Sequence, residues 1–215
     1  NPMLGKMADM YCVMDEFAAK VTRSRWQVET LITGMPKYLA YKKISFSILR
    51  TKVRKQLGIR ENEKLIGWFG QPPEVPGYEA AFQTFVASIN LLDSDCCYFV
   101  KLHPKDTKAN DILKRQTIRS DLAILDVDQY NAESLLSACD LVVTPFSLCG
   151  LDHAVMTSYC DSPLGNVLYL MPNNEIQNFA TKNCGMIRFP IVEETGIGNW
   201  TSANNPMQLR DMFYN

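Results

Sequence analysis

Three stretches of this chain gather residue types that could meet an anionic or sugar-like ligand. The first is Lys101-Leu102-His103-Pro104-Lys105. An imidazole with an ordinary pKa of ~6.5, set among lysines, can donate to a phosphate or act as an acid. A lone histidine can equally be structural, and the sequence leaves both readings open. The second is Thr144–Gly150, which reads as a strand end turning into a helix. The first N–H groups of a helix lack intrahelical partners and sit at the positive end of its dipole. Ser147, Leu148, Cys149 and Gly150 are therefore candidate phosphate-binding positions, Ser147 through its hydroxyl and Gly150 by letting a ligand approach the backbone. Ser147 serves equally well as an N-cap. The third is Asp152-His153, just inside that helix. Asp152 could accept from ribose hydroxyls or simply offset the dipole, and His153 could contact phosphate or cap locally. Gly70 and Gln71, which follow another apolar run, complete the candidate pocket with Lys105.

Several chemistries have no footing. Asp126 and Asp128 are paired acids, but nothing nearby completes a metal cage, and a solvated turn explains them. With two histidines and seven scattered cysteines lacking a C-x-x-C pair, the residues predict no metal site and reduced, mostly buried thiols. Ser147, Asp152 and His153 are too nearly contiguous for a hydrolytic triad, and no G-x-S-x-G elbow is present. Neither a dinucleotide G-x-G-x-x-G nor a Walker A motif occurs.

The elements that must position these residues follow from hydrophobic patterning. Six short apolar segments are predicted strands: Leu65–Phe69, Cys97–Leu102, Leu122–Leu125, Leu141–Thr144, Val167–Leu170 and Met186–Phe189. Continuous apolar runs of this length suit strands buried on both faces of a parallel sheet. Helical spacing predicts helices over Tyr78–Leu92, Ala132–Cys139, Leu151–Tyr159 and Asn174–Lys182. The alternation implies an α/β, doubly wound, Rossmann-like parallel sheet of about six strands with helices on both faces. Ligands of such sheets bind outside the carboxyl ends of the strands, where the candidate residues fall. Residues 1–60 read separately: strands at Met10–Met14 and Thr30–Thr33, a helix at Glu16–Ser24, a turn at Gly34-Met35-Pro36 and a basic connecting helix at Ile44–Leu57. The boundary is placed at the polar stretch Arg60–Lys64, giving a main domain of residues 61–215. Gly196-Ile197-Gly198-Asn199 reads as a loop.

Composition sets the outer limits. The 215 residues are 47% hydrophobic and 21% charged, ordinary for a globular protein. A net charge of −1 gives no basic excess for nucleic acid. No apolar run reaches the ~18–20 residues needed to span a bilayer, and no signal peptide opens the chain. It begins Asn1-Pro2, which fits either removal of leading residues or a piece of a longer protein.

Four stretches resemble the nucleotide-binding half of GT-B-type glycosyltransferases, including capsule and teichoic-acid polymerising enzymes and the related UDP-N-acetylglucosamine 2-epimerases. They are Ala8–Asp15 with Ile32–Pro36, Lys101-Leu102-His103-Pro104, Leu135–Thr144, and Ser147–Ala154. The resemblance implies that residues 1–60 are the remnant of a preceding α/β domain plus a connecting helix. It implies that His103 and Ser147, with Leu148, Cys149 and Gly150, meet a diphosphate. Asp152, with His153 beside it, takes the ribose position, and the loop Asp126–Tyr130, including Val127, flanks the base. Leu148-Cys149 stand where small residues are usual, and His153 where a second acid is common. The substrate would be a nucleotide-activated sugar, with no other cofactor and no metal. A glycan or lipid-linked acceptor would be met through a missing N-terminal domain that also supplies the catalytic base. The expected protein is a polysaccharide-biosynthesis enzyme, cytoplasmic or peripheral to the inner face of the membrane, with this chain inactive alone. The alternatives are a UDP-sugar 2-epimerase-like isomerase and a noncatalytic nucleotide-binding or scaffold domain.

Overall fold

The computed structural model describes residues 8–92, 95–106, 127, 129–185 and 195–214. The chain divides into two compact units between Ile44 and Ser45. In the first unit, strand β1 (Met10–Val13) pairs in parallel with β2 (Glu29–Ile32) through the crossover helix α1 (Glu16–Trp26). Asp15 caps α1 by accepting from Ala18 N–H at 2.7 Å, and Tyr11 packs on Trp26 with ring centroids 5.5 Å apart. A short helix α2 (Pro36–Tyr41) follows, its proline at the start, where a missing N–H costs nothing.

The second unit opens with helix α3 (Phe46–Gln56) and then runs β3 (Lys64–Phe69), α4 (Tyr78–Ile89), β4 (Cys96–Lys101), α5 (Ala132–Ala138), β5 (Leu141–Thr144), α6 (Leu148–Thr157), β6 (Asn166–Leu170), α7 (Asn174–Cys184), β7 (Gly198–Thr201) and α8 (Pro206–Tyr214). The five strands form one parallel sheet in the order β4-β3-β5-β6-β7. The expected α/β, doubly wound architecture is therefore present. Two of the six expected strands, Leu122–Leu125 and Met186–Phe189, lie outside the described residues.

Alternation along the strands assigns the two faces. Trp68 lies on one, its ring 4.8 Å from Phe85 and 5.4 Å from Phe82 of α4. On the same side α8 places Phe213 6.2 Å from Phe85. Gly67 and Tyr169 lie on the other face, against Cys139 at the end of α5 and Gly150 of α6. Helices thus cover both faces, and β3, β5 and β6 are buried almost throughout.

Helix α3 falls in the second compact unit, to which two arginines tie it. Arg50 donates to the carbonyls of Ser137, Ala138 and Cys139 at 3.3, 3.0 and 2.8 Å and pairs with Asp140. Arg54 reaches Asp140 Oδ2 at 2.8 Å and Glu63 O at 2.6 Å. The predicted loop at 196–199 instead contains the start of β7, which pairs with β6 from Val167–Gly198 to Leu170–Thr201. Finally, α6 begins at Leu148, three residues before the predicted start at Leu151.

Candidate functional site

The strand order fixes where a ligand crevice falls. From the centre of the sheet, β3 leads by way of α4 outward to β4, while β5 leads outward through α6 to β6. The two windings diverge between β3 and β5, and the loops leaving their carboxyl ends part there. Four loops emerge on that edge: 70–77, 102–106, 145–147 and 171–173.

A run of hydrogen bonds ties three of them together with the segment at Val127. Thr144, the last residue of β5, donates its hydroxyl to Phe69 O at 2.7 Å, and its oxygen accepts from Ser147 N–H at 3.4 Å. Gly70 N–H donates to Lys101 O at 2.9 Å. Lys101 Nζ donates to Val127 O at 3.3 Å. Gly70 cannot be replaced without disturbance here: a Cβ would lie 2.7 Å from the Tyr78 hydroxyl and 3.1 Å from His103 N. The loops bearing Gly70, Gln71, His103, Lys105, Val127 and Ser147 are thereby brought to one edge.

His103 is half-buried and Lys105 is exposed. Lys105 N–H donates to His103 Nδ1 at 3.2 Å, so the neutral ring carries its proton on Nε2 and presents that nitrogen as a donor. Gln71 is buried. Val127 is buried too, and Asp126 lies outside the described residues.

Ser147 is the N-cap of α6, its side chain accepting from Cys149 N–H at 3.2 Å. Gly150 N–H donates to Ser147 O at 3.2 Å. Two of the first three N–H groups of α6 are thus held by Ser147 itself, whose O–H stays available as a donor. Leu148 is exposed and Cys149 half-buried. Gly150 does not open the backbone to a ligand. A Cβ there would meet the Tyr169 hydroxyl at 2.5 Å and Val167 Cγ1 at 2.8 Å, so the glycine lets α6 pack onto β6.

The early start of α6 moves Asp152 and His153 into its second turn, which faces the core. His153 is fully buried, with Nδ1 2.9 Å from Leu136 O on α5. Burial lowers its pKa to about 4, which keeps the ring neutral. It is a core histidine, withdrawn from the loops. Asp152 is buried as well. Pattern reading could not show this, because the helix register decides which residues turn inward. Tyr78, whose hydroxyl approaches Gly70, and Asp106, whose N–H donates to His103 O at 2.8 Å, are both buried and were not among the expected residues. Asp106 stands in a run of charged residues, and nothing in its spacing signals burial.

A cavity of about 500 Å³ lies at the opposite, amino-terminal edge of the sheet, lined by Lys64, Asp140, Asn166, Phe213 and Tyr214 among others. None of the expected residues lines it. Strand carboxyl ends and helix N-termini supply oriented donors at the other edge, which is the stronger physical ground for a site. Among the described residues no group of three or more His, Cys, Asp or Glu side chains could hold a metal ion. No helix among them is long and apolar enough to cross a membrane.

No protein-family profile and no curated protein sequence matches the chain. Solved structures do. A structure of the wall teichoic acid polymerase TagF superposes on 100% of this chain and 49% of its own length, with a TM-score of 0.62 and 14% identity. A second TagF structure gives 0.59 at 13% identity over 100% of this chain and 50% of its own. WaaG, a glycosyltransferase involved in lipopolysaccharide biosynthesis, gives 0.53 at 17% identity over 95% of this chain and 52% of its own. The chain spans about half the length of these proteins. It shares their fold over that span, a Rossmann-like α/β arrangement.

Proposed function

We propose that this chain is the donor-binding half of a GT-B-type transferase whose donor is a nucleotide-activated sugar or polyol phosphate. The observation that carries the reading is the bonded run Ser147–Thr144–Phe69 and Gly70–Lys101–Val127 at the divergence of the two windings. It gathers a histidine, a serine and a helix N-terminus where an open parallel sheet takes its ligand. The likeness in fold to TagF, one structure of which was obtained after soaking with CDPG, supports a nucleotide-linked donor.

In this reading His103 donates through Nε2–H, and Ser147 through its hydroxyl, to the diphosphate. Lys105 and the positive end of α6, at Leu148–Gly150, add attraction. The segment around Asp126 and Val127 flanks the base, and Gly70 and Gln71 form the floor. When the donor bond breaks, charge gathers on the leaving diphosphate, and donors already in place stabilise it without rearranging. Asp152 and His153, being buried, are left out of the donor contacts. A preceding N-terminal domain binds the acceptor, a glycan or a lipid-linked one, and supplies the catalytic base, so this chain alone transfers nothing. The expected setting is polysaccharide biosynthesis on the cytoplasmic side of a membrane.

Calorimetric titration of the chain with UDP, CDP, GDP and CMP tests the reading. At least one should bind, His103→Ala should weaken it roughly tenfold or more, as loss of a charge-assisted hydrogen bond does, and Ser147→Asp should abolish it by repulsion. If none binds, the donor-site reading falls and a noncatalytic scaffold remains.

A further inference from the structure

We propose that Asn173 is a positioning residue that latches loop 70–77 across the carboxyl end of β5 and so fixes one wall of the donor crevice. The proposal rests on the donor-binding reading of that crevice. Loop 70–77 leaves β3 and Asn173 follows β6, with β5 standing between those two strands. Neighbouring strands lie about 4.8 Å apart, so a contact between the two loops spans roughly 10 Å of the sheet edge. Asn173 makes that contact. Its Nδ2 donates to Gly77 O at 3.2 Å. Its Oδ1 accepts from Ile176 N–H at 3.0 Å and caps α7. One side chain thus starts α7 and grips the first turn of α4, whose Ala81 N–H donates to the same Gly77 O at 3.3 Å. Loop 70–77 becomes a strap over the exit of β5, the strand that leads to Ser147.

The fit at the latch specifies both partners. Gly77 has a φ of 76°, in the left-handed region, and a Cβ there would collide with Asn173 Oδ1 and lie 2.9 Å from Ile176 N. Glycine alone allows that turn and that approach together. The strap between its ends is stiff. Pro72, Pro73 and Pro76 each fix φ. Val75 N–H donates to Pro72 O at 3.1 Å and Tyr78 N–H to Val75 O at 3.2 Å, and the Val75 side chain is buried. A stiff strap needs holding only at its ends. The near end is held by the backbone bond from Gly70 N–H to Lys101 O at 2.9 Å, which survives any change of side chain at Lys101. The far end is held by a side chain. Asn173 therefore decides whether the strap, with Gly70 and Gln71 on it, is in place before a nucleotide arrives. A wall already ordered spares the ligand the entropy loss of ordering it. Asn173 itself touches no ligand.

The test uses Asn173→Asp and Asn173→Ser. Each keeps an N-cap acceptor for α7 and loses the donor to Gly77 O. The serine variant adds no charge, so agreement between the two excludes repulsion of the nucleotide by a new carboxylate. Hydrogen exchange of the Val75 and Tyr78 amides should quicken in both, while the amides of α7 stay protected. Titration with UDP, CDP, GDP and CMP should show binding weakened about three- to tenfold, the size of the ordering cost of one side chain. Bound nucleotide should then restore protection to the strap in the variants and add little in the unmutated chain, a signature that a capping role alone does not produce. Asn173→Ala, which removes the cap too, should lower the protection of α7 as well. Unchanged exchange of Val75 and Tyr78 in both the aspartate and serine variants, with α7 still protected, would overturn the proposal. Faster exchange with undiminished binding would overturn it equally. If the unmutated chain binds none of the four nucleotides, the donor-site reading fails by itself, and the exchange data still decide whether Asn173 holds the strap.

Discussion

At the residue scale, two positions show how a functional pattern and a packing pattern can share one sequence. Gly150 and His153 both sit where an anion-binding turn would want them, and both serve the core, one against Tyr169 and the other against Leu136 O. The histidine leaves a measurable trace. Its pKa is about 4 in the folded chain and ~6.5 when unfolded, so between these values the unfolded state binds the extra proton. Stability from this group is fully present above pH 6.5 and falls as the pH drops toward 4, by about 3 kcal/mol in all. Urea unfolding across that window should show the loss, and His153→Gln should flatten it by close to one proton. An unaltered slope in the variant would assign the pH dependence elsewhere. The loop residues were more legible. His103, Gly70 and Ser147 were recognisable because a polar group directly after an apolar run has few places to go but the sheet edge. Buried Tyr78 and Asp106 were not, since the sequence of Asp106 looks like that of any exposed loop acid.

At the element scale, the parallel strands and their helices could be read from apolar runs and helical spacing, and most boundaries fell within a few residues. Two departures have physical causes. The strand β7 has only four residues with mixed burial, Gly198 buried and Asn199 exposed, so it lacks the continuous apolar run that marks a buried strand. Its pairing is supplied by β6. The basic helix α3 reads in sequence as a connector between the two units. In the structure Arg50 and Arg54 converge on the end of α5, where Arg50 satisfies carbonyls left over by the helix. Asp140 joins them, pairing with both guanidinium groups and accepting from Leu65 N–H at 2.7 Å. Asp140→Ala should therefore loosen α3, α5 and β3 together and cost roughly 2 kcal/mol, in the range of a hydrogen bond to a charged group. Denaturant melts of Asp140→Ala and Asp140→Asn check this, with the asparagine variant expected to lose less. Equal stability of all three proteins would show that the arginines are held by the carbonyls alone.

At the scale of the whole molecule, the two units differ in how much core each can make. Among the described residues the first has one pair of parallel strands, with Met10, Leu31 and Ile32 all exposed. A two-stranded ribbon is marginal in water without further strands or helices to bury its face. The described residues of the second form a five-stranded sheet covered on both faces. Residues 45–215 expressed alone should unfold in one cooperative transition by circular dichroism, whereas residues 1–44 alone should show no such transition. A cooperative melt of the short piece would contradict this. The strand order also sets a schedule for synthesis. Phe69 meets Thr144 across 75 residues of chain, and β3, next to the edge strand β4, takes β5 as its other neighbour. Until β5 has been made, β3 and β4 stand as an unfinished apolar ribbon. At translation rates of about 5–20 residues per second, the stretch from Lys101 to Leu141 takes on the order of seconds to emerge. For that interval β3 has been made without the strand that finally pairs along its second edge.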